Sequence, residues 1–255
     1  MTEAVLFDAR PDGIAILTID RPESRNALTR EVREGLAAAW DRFERDPALR
    51  IAILTASGDK AFCAGGDLKE MVENGMQVPP RDMFALPYDT IHLSKPTIAA
   101  VNGVAFAGGW MIAQACDLCV ASTAARFAIT EVKVGRGSPW ASPLIHMIPQ
   151  RIMMELILTG KAITAQRAYE IGLVNRLAAP EALLDTALAL AAEILEGAPL
   201  SVQAGRDTVM LATEMGRAAA LEAARDASEA MYRSADAQEG PRAFAEKRRP
   251  VWRGE

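Results

Sequence analysis

The side chains suited to acid–base, metal or nucleophilic chemistry are sparse in this sequence, and the most distinctive spacings are made of glycine. Two histidines, His92 and His146, and three cysteines, Cys63, Cys116 and Cys119, are spread over 255 residues. Cys116 and Cys119 form a C-x-x-C around Asp117 and Leu118. No second pair completes the four-ligand set of a structural zinc site, so these thiols are expected to be small buried side chains. Glycine pairs stand at Gly65-Gly66, before Asp67, and at Gly108-Gly109, before the apolar run Trp110 to Ala115. Such pairs release the backbone from Cβ constraints, and the second reads as a turn entering a helix. Free N–H groups at a helix start favour developing anionic charge. One carboxylate, Glu131, sits in a segment from 125 to 137 that mixes a short extended run with a turn.

The elements that must position these residues can be read from periodicity. Ile14 to Ile19 (IAILTI), Ile51 to Thr55 (IAILT) and Thr97 to Val101 (TIAAV) are short runs rich in branched residues and predict strands, and Leu118 to Ala121 predicts a fourth. From Thr29, Val32, Leu36, Trp40 and Phe43 recur at helical spacing, with Pro47 just beyond the end. Ile152 to Leu158 suits a helix stopped by Gly160, and Thr164 caps another that runs to Ile171 and stops at Gly172. Residues 74 to 87 (NGMQVPPRDMFALP) hold three prolines and read as an irregular, variable loop. Beyond Pro180 alanine, leucine and charged residues dominate, with interruptions near Gly197-Ala198-Pro199 and Gly216, which predicts a helical region over about 200 to 255.

Composition narrows the function classes. Lys plus Arg is 28 against 33 Asp plus Glu, for a net charge of −5, which argues against nucleic acid as the main partner. No apolar run reaches the roughly 20 residues of a membrane span. The N-terminus carries Glu3 and Asp8 rather than a basic region before an apolar stretch, unlike a secretory signal. A reducing, cytoplasmic setting with no membrane partner is the expectation.

Taken in order, the motifs resemble the crotonase superfamily, the enoyl-CoA hydratase and isomerase group. The resemblance runs from Arg21-Pro22 and Asn26-Ala27-Leu28, through Ala61-Phe62-Cys63-Ala64-Gly65-Gly66-Asp67 and Gly103, to Gly108-Gly109 with Cys116-Asp117. It continues in Thr164-Ala165, in Gly172-Leu173-Val174-Asn175 and in the closing run from Phe244 to Pro250. It implies an α/β fold: a right-handed spiral of repeated β-β-α units over residues 1–199 carrying the active site, and a C-terminal helical region, 200–255, that covers the site and builds homotrimers or dimers of trimers. It also implies an acyl-CoA substrate, with coenzyme A part of the thioester rather than a separate cofactor, and no metal. The backbone N–H groups of Gly66 and Gly108 fall where the family's oxyanion donors lie. Donors aimed at a developing enolate oxygen stabilise the transition state more than the ground state. Arg25, Ala27, Ala64, Gly65, Asp67 and Leu68 fall where the family holds coenzyme A, and Lys247 where a neighbouring subunit reaches the phosphates or adenine.

Against the family's hydratases this sequence departs at two points. The first of two catalytic glutamates, three residues after the oxyanion glycine, is here Met111, which exchanges no proton. The glycine eight residues after the second glutamate, whose N–H faces the catalytic water, is here Pro139, which has no N–H. The second glutamate, Glu131, is kept. That pattern resembles the enoyl-CoA isomerases in which one carboxylate removes an α-proton and returns it at the γ-carbon. Pro139 also replaces the second acid of the dienoyl-CoA isomerases and the nucleophilic aspartate of the chlorobenzoyl-CoA dehalogenases, which disfavours both. A hydratase or hydratase-lyase using Glu131 and water remains an alternative, as does a non-catalytic CoA-thioester-binding or assembly protein. Trp110, Met111, Pro139 and Trp140 are candidates for an apolar acyl pocket, though residues such as Trp110, Met111 and Trp140 are more often core packing. His146, in apolar surroundings, is read as a structural histidine rather than a base.

Overall fold

The computed structural model describes residues 3–73, 75 and 78–255. The strands β1 (Val5–Ala9), β2 (Ile14–Ile19), β3 (Ile51–Ala56), β5 (Thr97–Val101), β7 (Leu118–Ser122) and β10 (Arg176–Ala178) form a six-stranded sheet in the order β1-β2-β3-β5-β7-β10. Only β1 runs antiparallel to its neighbour; the other pairings are parallel. A second sheet, β4 (Ala61–Cys63), β6 (Val104–Phe106), β8 (Arg126–Ala128) and β9 (Ile163–Thr164), pairs in that order, parallel except for β8 with β9. Three successive chain passes thus each lay one strand in the large sheet and the next in the small one: β3 then β4, β5 then β6, β7 then β8. This is the crotonase-like spiral of repeated units.

The large sheet is apolar on both faces, which is why its strands read as continuous branched runs. One face, with Ile14, Ile16, Ile51, Ile53, Ile98 and Val120, packs on Leu183, Ala187, Leu190 and Ala191 of helix α6 (Leu183–Leu195). The alternate residues, among them Leu17, Leu54 and Val101, join Leu36, Trp40 and Phe43 of helix α1 (Arg30–Arg45) in the main core. Thr29 caps α1 by accepting from Val32 N. At its other end Lys95 reaches in and donates to the carbonyls of Phe43, Glu44 and Asp46 at 2.7–2.9 Å, satisfying acceptors that helix geometry leaves open.

The remaining helices are α2 (Leu68–Glu73), α3 (Gly108–Gln114), α4 (Gln150–Thr159), α5 (Ala165–Glu170), α7 (Pro199–Glu214), α8 (Arg217–Arg233) and α9 (Ala235–Ala245). The Thr164 cap on α5 forms as the sequence implies, and Gly160 ends α4 in the left-handed conformation. Asn74, Met76 and Gln77 of the expected irregular loop lie outside the described residues; from 78 to 87 there is no helix or strand. Several elements escaped the sequence reading, among them the short strands β4, β6, β9 and β10, helix α2 and two more. β1 is a mostly exposed edge strand with little apolar alternation. Residues Pro139–His146 form a 3-10 helix containing two prolines, one at its first position and Pro143 within it. That helix corrects the reading of His146, which is exposed on it rather than buried. Among the described residues no helix is long and apolar enough to cross a membrane.

Candidate active site

Three features singled out in the sequence follow the C-terminal ends of the three adjacent parallel strands β4, β6 and β8. Gly66 comes three residues after Cys63, Gly108 two after Phe106 and Glu131 three after Ala128. Parallel α/β sheets bind ligands at this edge, where loops diverge above the strand ends. Phe106 pairs with Ala128 in register, and Ala107 N donates to Ala128 O, so the loops carrying Gly108 and Glu131 leave the sheet side by side.

The loops after β4 and β6 approach each other closely. A Cβ built on Gly109 would lie 2.0 Å from the Cys63 carbonyl oxygen, so only glycine lets the start of α3 approach β4 this closely. Gly65 adopts φ +104, and a Cβ there would stand 3.4 Å from Gly108 N. A Cβ on Gly108 would in turn stand 3.5 Å from Gly66 N, which sets the two expected oxyanion N–H groups as neighbours. Neither donates a hydrogen bond to another described group. Ala107, just before, is held at φ 49, an uncommon conformation for a residue with a Cβ.

The segment expected to meet coenzyme A docks onto the same place. Ala64 N donates to Arg25 O at 3.0 Å and Leu28 N to Gly65 O at 2.9 Å, joining 25–28 to 64–66. Arg25 and Asn26 both have φ 54. Asn26 is fully buried and pins this turn: its Oδ1 accepts from Arg21 N, and its Nδ2 donates to Ser57 O and Ala61 O. Asp67 turns inward on the chain, accepting from Lys69 N and Glu70 N at the start of α2. Glu70 pairs with Arg33 at 2.7 Å, and Arg33 also donates to Leu28 O, so α1, α2 and the 25–28 turn form one clamp. Arg25 and Leu68 are exposed beside it. Lys247, exposed just past α9, has no hydrogen bond or ion pair to these loops within the chain.

Glu131 opens a one-turn 3-10 helix, Glu131–Val134, closed by Gly135. Its Oε1 accepts from Trp140 Nε1 at 2.7 Å. Its Oε2 is buried with no partner. Burial pushes its carboxyl above the ordinary value; its own backbone N–H and the Trp140 indole pull the other way. The Trp140 carbonyl in turn accepts from Gln114 Nε2 at the end of α3. Met111 lies on α3 between Gly108 and Gln114, buried at 5% exposure, where no proton donor replaces it. Of the other acyl-pocket candidates, Trp110 is 1% exposed and stacks edge-on against Phe127, which makes it core, and Pro139 is exposed at the head of its 3-10 helix.

The cysteines match their expectation as buried thiols: burial pushes Cys63 and Cys119 up to about 12 and raises Cys116 further. Asp117, between Cys116 and Cys119 and given no role in the sequence reading, anchors the C-terminal region. It accepts from Tyr88 Oη at 2.6 Å, Arg206 Nε at 2.8 Å and both N and Oγ1 of Thr97 at 2.8 Å. Among the described residues no cluster of three or more His, Cys, Asp or Glu could hold a metal ion.

Comparison with known proteins agrees with this architecture. Residues 9–255 match the model of the enoyl-CoA hydratase/isomerase family. The chain is 38% identical to (E)-benzylidenesuccinyl-CoA hydratase of Thauera aromatica, over 94% of its own length and 96% of that protein. It is 38% identical to carnitinyl-CoA dehydratase of Salmonella arizonae, over 93% and 94%. Among solved structures, an enoyl-CoA hydratase from Mycobacterium tuberculosis H37Rv superposes with a TM-score of 0.92 at 40% identity over the whole of both chains. A probable enoyl-CoA hydratase/isomerase from Mycobacterium abscessus gives 0.90 at 40%, again over the whole of both. The chain belongs to the enoyl-CoA hydratase/isomerase family of the crotonase superfamily and is an enzyme acting on acyl-CoA thioesters.

Proposed function

We propose that this enzyme shifts a carbon–carbon double bond in an enoyl-CoA through an enolate, with Glu131 as its single acid/base and the N–H groups of Gly66 and Gly108 as its oxyanion hole. The observation that carries the reading is the pairing of one buried carboxylate, free at Oε2, with an apolar Met111 in the place of a second acid. Glu131 takes the proton from Cα; the C–H electron pair moves onto the thioester oxygen, where two neighbouring N–H groups stabilise it. Glu131, whose acquired proton exchanges with solvent, then gives a proton to Cγ as the double bond moves into conjugation, so nothing is oxidised and no water is consumed. A carboxyl raised by burial suits both directions of transfer better than an ordinary glutamate. Coenzyme A lies along Arg25, Ala27 and Ala64 to Leu68 in this reading.

Hydration is the second reading, favoured by the relatives named as a hydratase and a dehydratase at 38% identity. In it Glu131 orients a water without help from residue 111 or from an N–H at 139. A crystal structure with a non-reacting acyl-CoA analogue tests the two. Glu131 Oε2 within hydrogen-bond reach of both Cα and Cγ supports isomerisation; an ordered water between Glu131 and Cβ supports hydration. Exposed apolar side chains on α7, α8 and α9, including Val209, Leu221 and Phe244 at 87% exposure, support assembly into trimers, alone or paired. In this reading such an assembly brings Lys247, exposed in the single chain, to a neighbour's coenzyme A. The three free, buried cysteines suit a cytoplasmic setting.

A further inference from the structure

We propose that Trp140 is a positioning residue for Glu131: its indole N–H holds Oε1, so that proton transfer runs through Oε2 alone. The inference rests on Glu131 being the acid/base and goes beyond it by assigning the two carboxylate oxygens different tasks. Trp140 sits in the 3-10 helix Pro139–His146 and is fixed at both ends, its Nε1 on Glu131 Oε1 at 2.7 Å and its carbonyl on Gln114 Nε2 at 2.5 Å. Gln114 closes α3, the helix that Gly108 opens. One seven-residue helix therefore fixes an oxyanion N–H at its first residue and, through Gln114 and Trp140, the rotamer of the base at its last.

An indole suits this task chemically. It donates and cannot accept, and it neither gains nor loses a proton in the working range. It therefore stays bonded to Oε1 whether Glu131 is charged or protonated, and the mobile proton is confined to Oε2. Oε2 is the oxygen left buried with no protein partner, as an atom reserved for the substrate must be before substrate binds. The other titratable and charged groups on the two 3-10 helices, in the loop between them and on α4 are Lys133, Arg136, His146, Arg151 and Glu155. None of them figures among the causes acting on the Glu131 carboxyl, so the indole is the side-chain group that tunes it.

The test compares pH–rate profiles of the wild type, Trp140→Phe and Glu131→Gln with an enoyl-CoA substrate. Phenylalanine keeps the ring and removes only the donor. Loss of a hydrogen bond to the charged form raises the acidic midpoint of kcat by about one unit and lowers kcat roughly tenfold, with KM little changed. A second readout uses the intact wild type and so survives a misfolded variant. Of the four tryptophan indole N–H resonances, one should titrate with the same midpoint as the acid limb of kcat, and that titration should vanish in Glu131→Gln. A folded Trp140→Phe with an unaltered pH profile overturns the inference. So does a wild type in which no indole follows that midpoint while Glu131→Gln is inactive. An active Glu131→Gln instead overturns the assignment of the base itself.

Discussion

The loops after β4 and β6 and the paired 3-10 helices after β8 rise from one edge of the small sheet but are made of different material. The first wall is backbone: Gly65 and Gly109 leave no room for a Cβ where the loops meet, and what the proposed site offers a ligand there is the N–H groups of Gly66 and Gly108. The second is side chain: Glu131, Trp140 and Gln114 in a hydrogen-bonded row. A backbone site is fixed by packing and can hold any thioester oxygen. A side-chain site is altered by single substitutions without disturbing the fold. The first wall therefore suits what is common to the family, and the second what separates one reaction from another.

This contrast breaks most visibly at Glu131. Glu131→Gln should lower kcat by about 10²–10⁴-fold, measured by steady-state turnover of the enoyl-CoA substrate. Its effect on stability should have the opposite sign. Burial holds the folded-state carboxyl above its unfolded value, so the charged form costs folding free energy. That cost is absent below the unfolded value, grows between the two and is complete above the folded value. Urea unfolding at neutral pH should find the glutamine variant at least as stable as the wild type, with any gap closing as the pH falls. The backbone wall should behave in the reverse way. Gly109→Ala drives a Cβ against the Cys63 carbonyl and should cost about 1–3 kcal/mol in the same unfolding assay, with activity lost because the fold has moved.

The division also explains what could be read in advance. The strands β2, β3, β5 and β7 were legible because a sheet buried on both faces leaves no alternation, only branched runs such as IAILTI. The backbone wall was legible because a Cβ does not fit where Gly109 meets the Cys63 carbonyl or at the positive φ of Gly65. The Glu131 position was legible through the resemblance, but its partner was not. Trp140 offers an apolar ring and a single N–H, and nothing in its spacing says that the N–H meets a carboxylate nine residues earlier rather than a substrate. Trp110 illustrates the ambiguity, since it is another pocket candidate of the same type and lies in the core against Phe127. Asn26 and Asp117 were visible as motif letters. That their side chains satisfy buried or half-buried backbone groups from distant strands is a tertiary fact with no local periodicity.

A smaller effect sharpens the boundary between the walls. In its proposed role as base, Glu131 must be ionised to take the α-proton, so kcat/KM should fall as acid protonates it, with a midpoint above that of an ordinary glutamate. Gly108 and Gly66 titrate nothing, so binding of a saturated acyl-CoA, measured by calorimetry, should show no such midpoint unless the carboxyl itself touches the ligand. Smallest of all is Arg25→Ala. The side chain is exposed, so its loss should raise KM for the thioester by about 0.2–1 kcal/mol with kcat unchanged, a difference that shrinks in high salt.

The most direct test of single-carboxylate chemistry gives the enzyme a 3-enoyl-CoA and, separately, a 2-enoyl-CoA in deuterated water, with Glu131→Gln beside it and products resolved by mass spectrometry. The account predicts migration of the double bond with deuterium incorporation and no added oxygen, lost in the variant. A product heavier by one water would contradict it and show that hydration proceeds with Met111 and Pro139 in place.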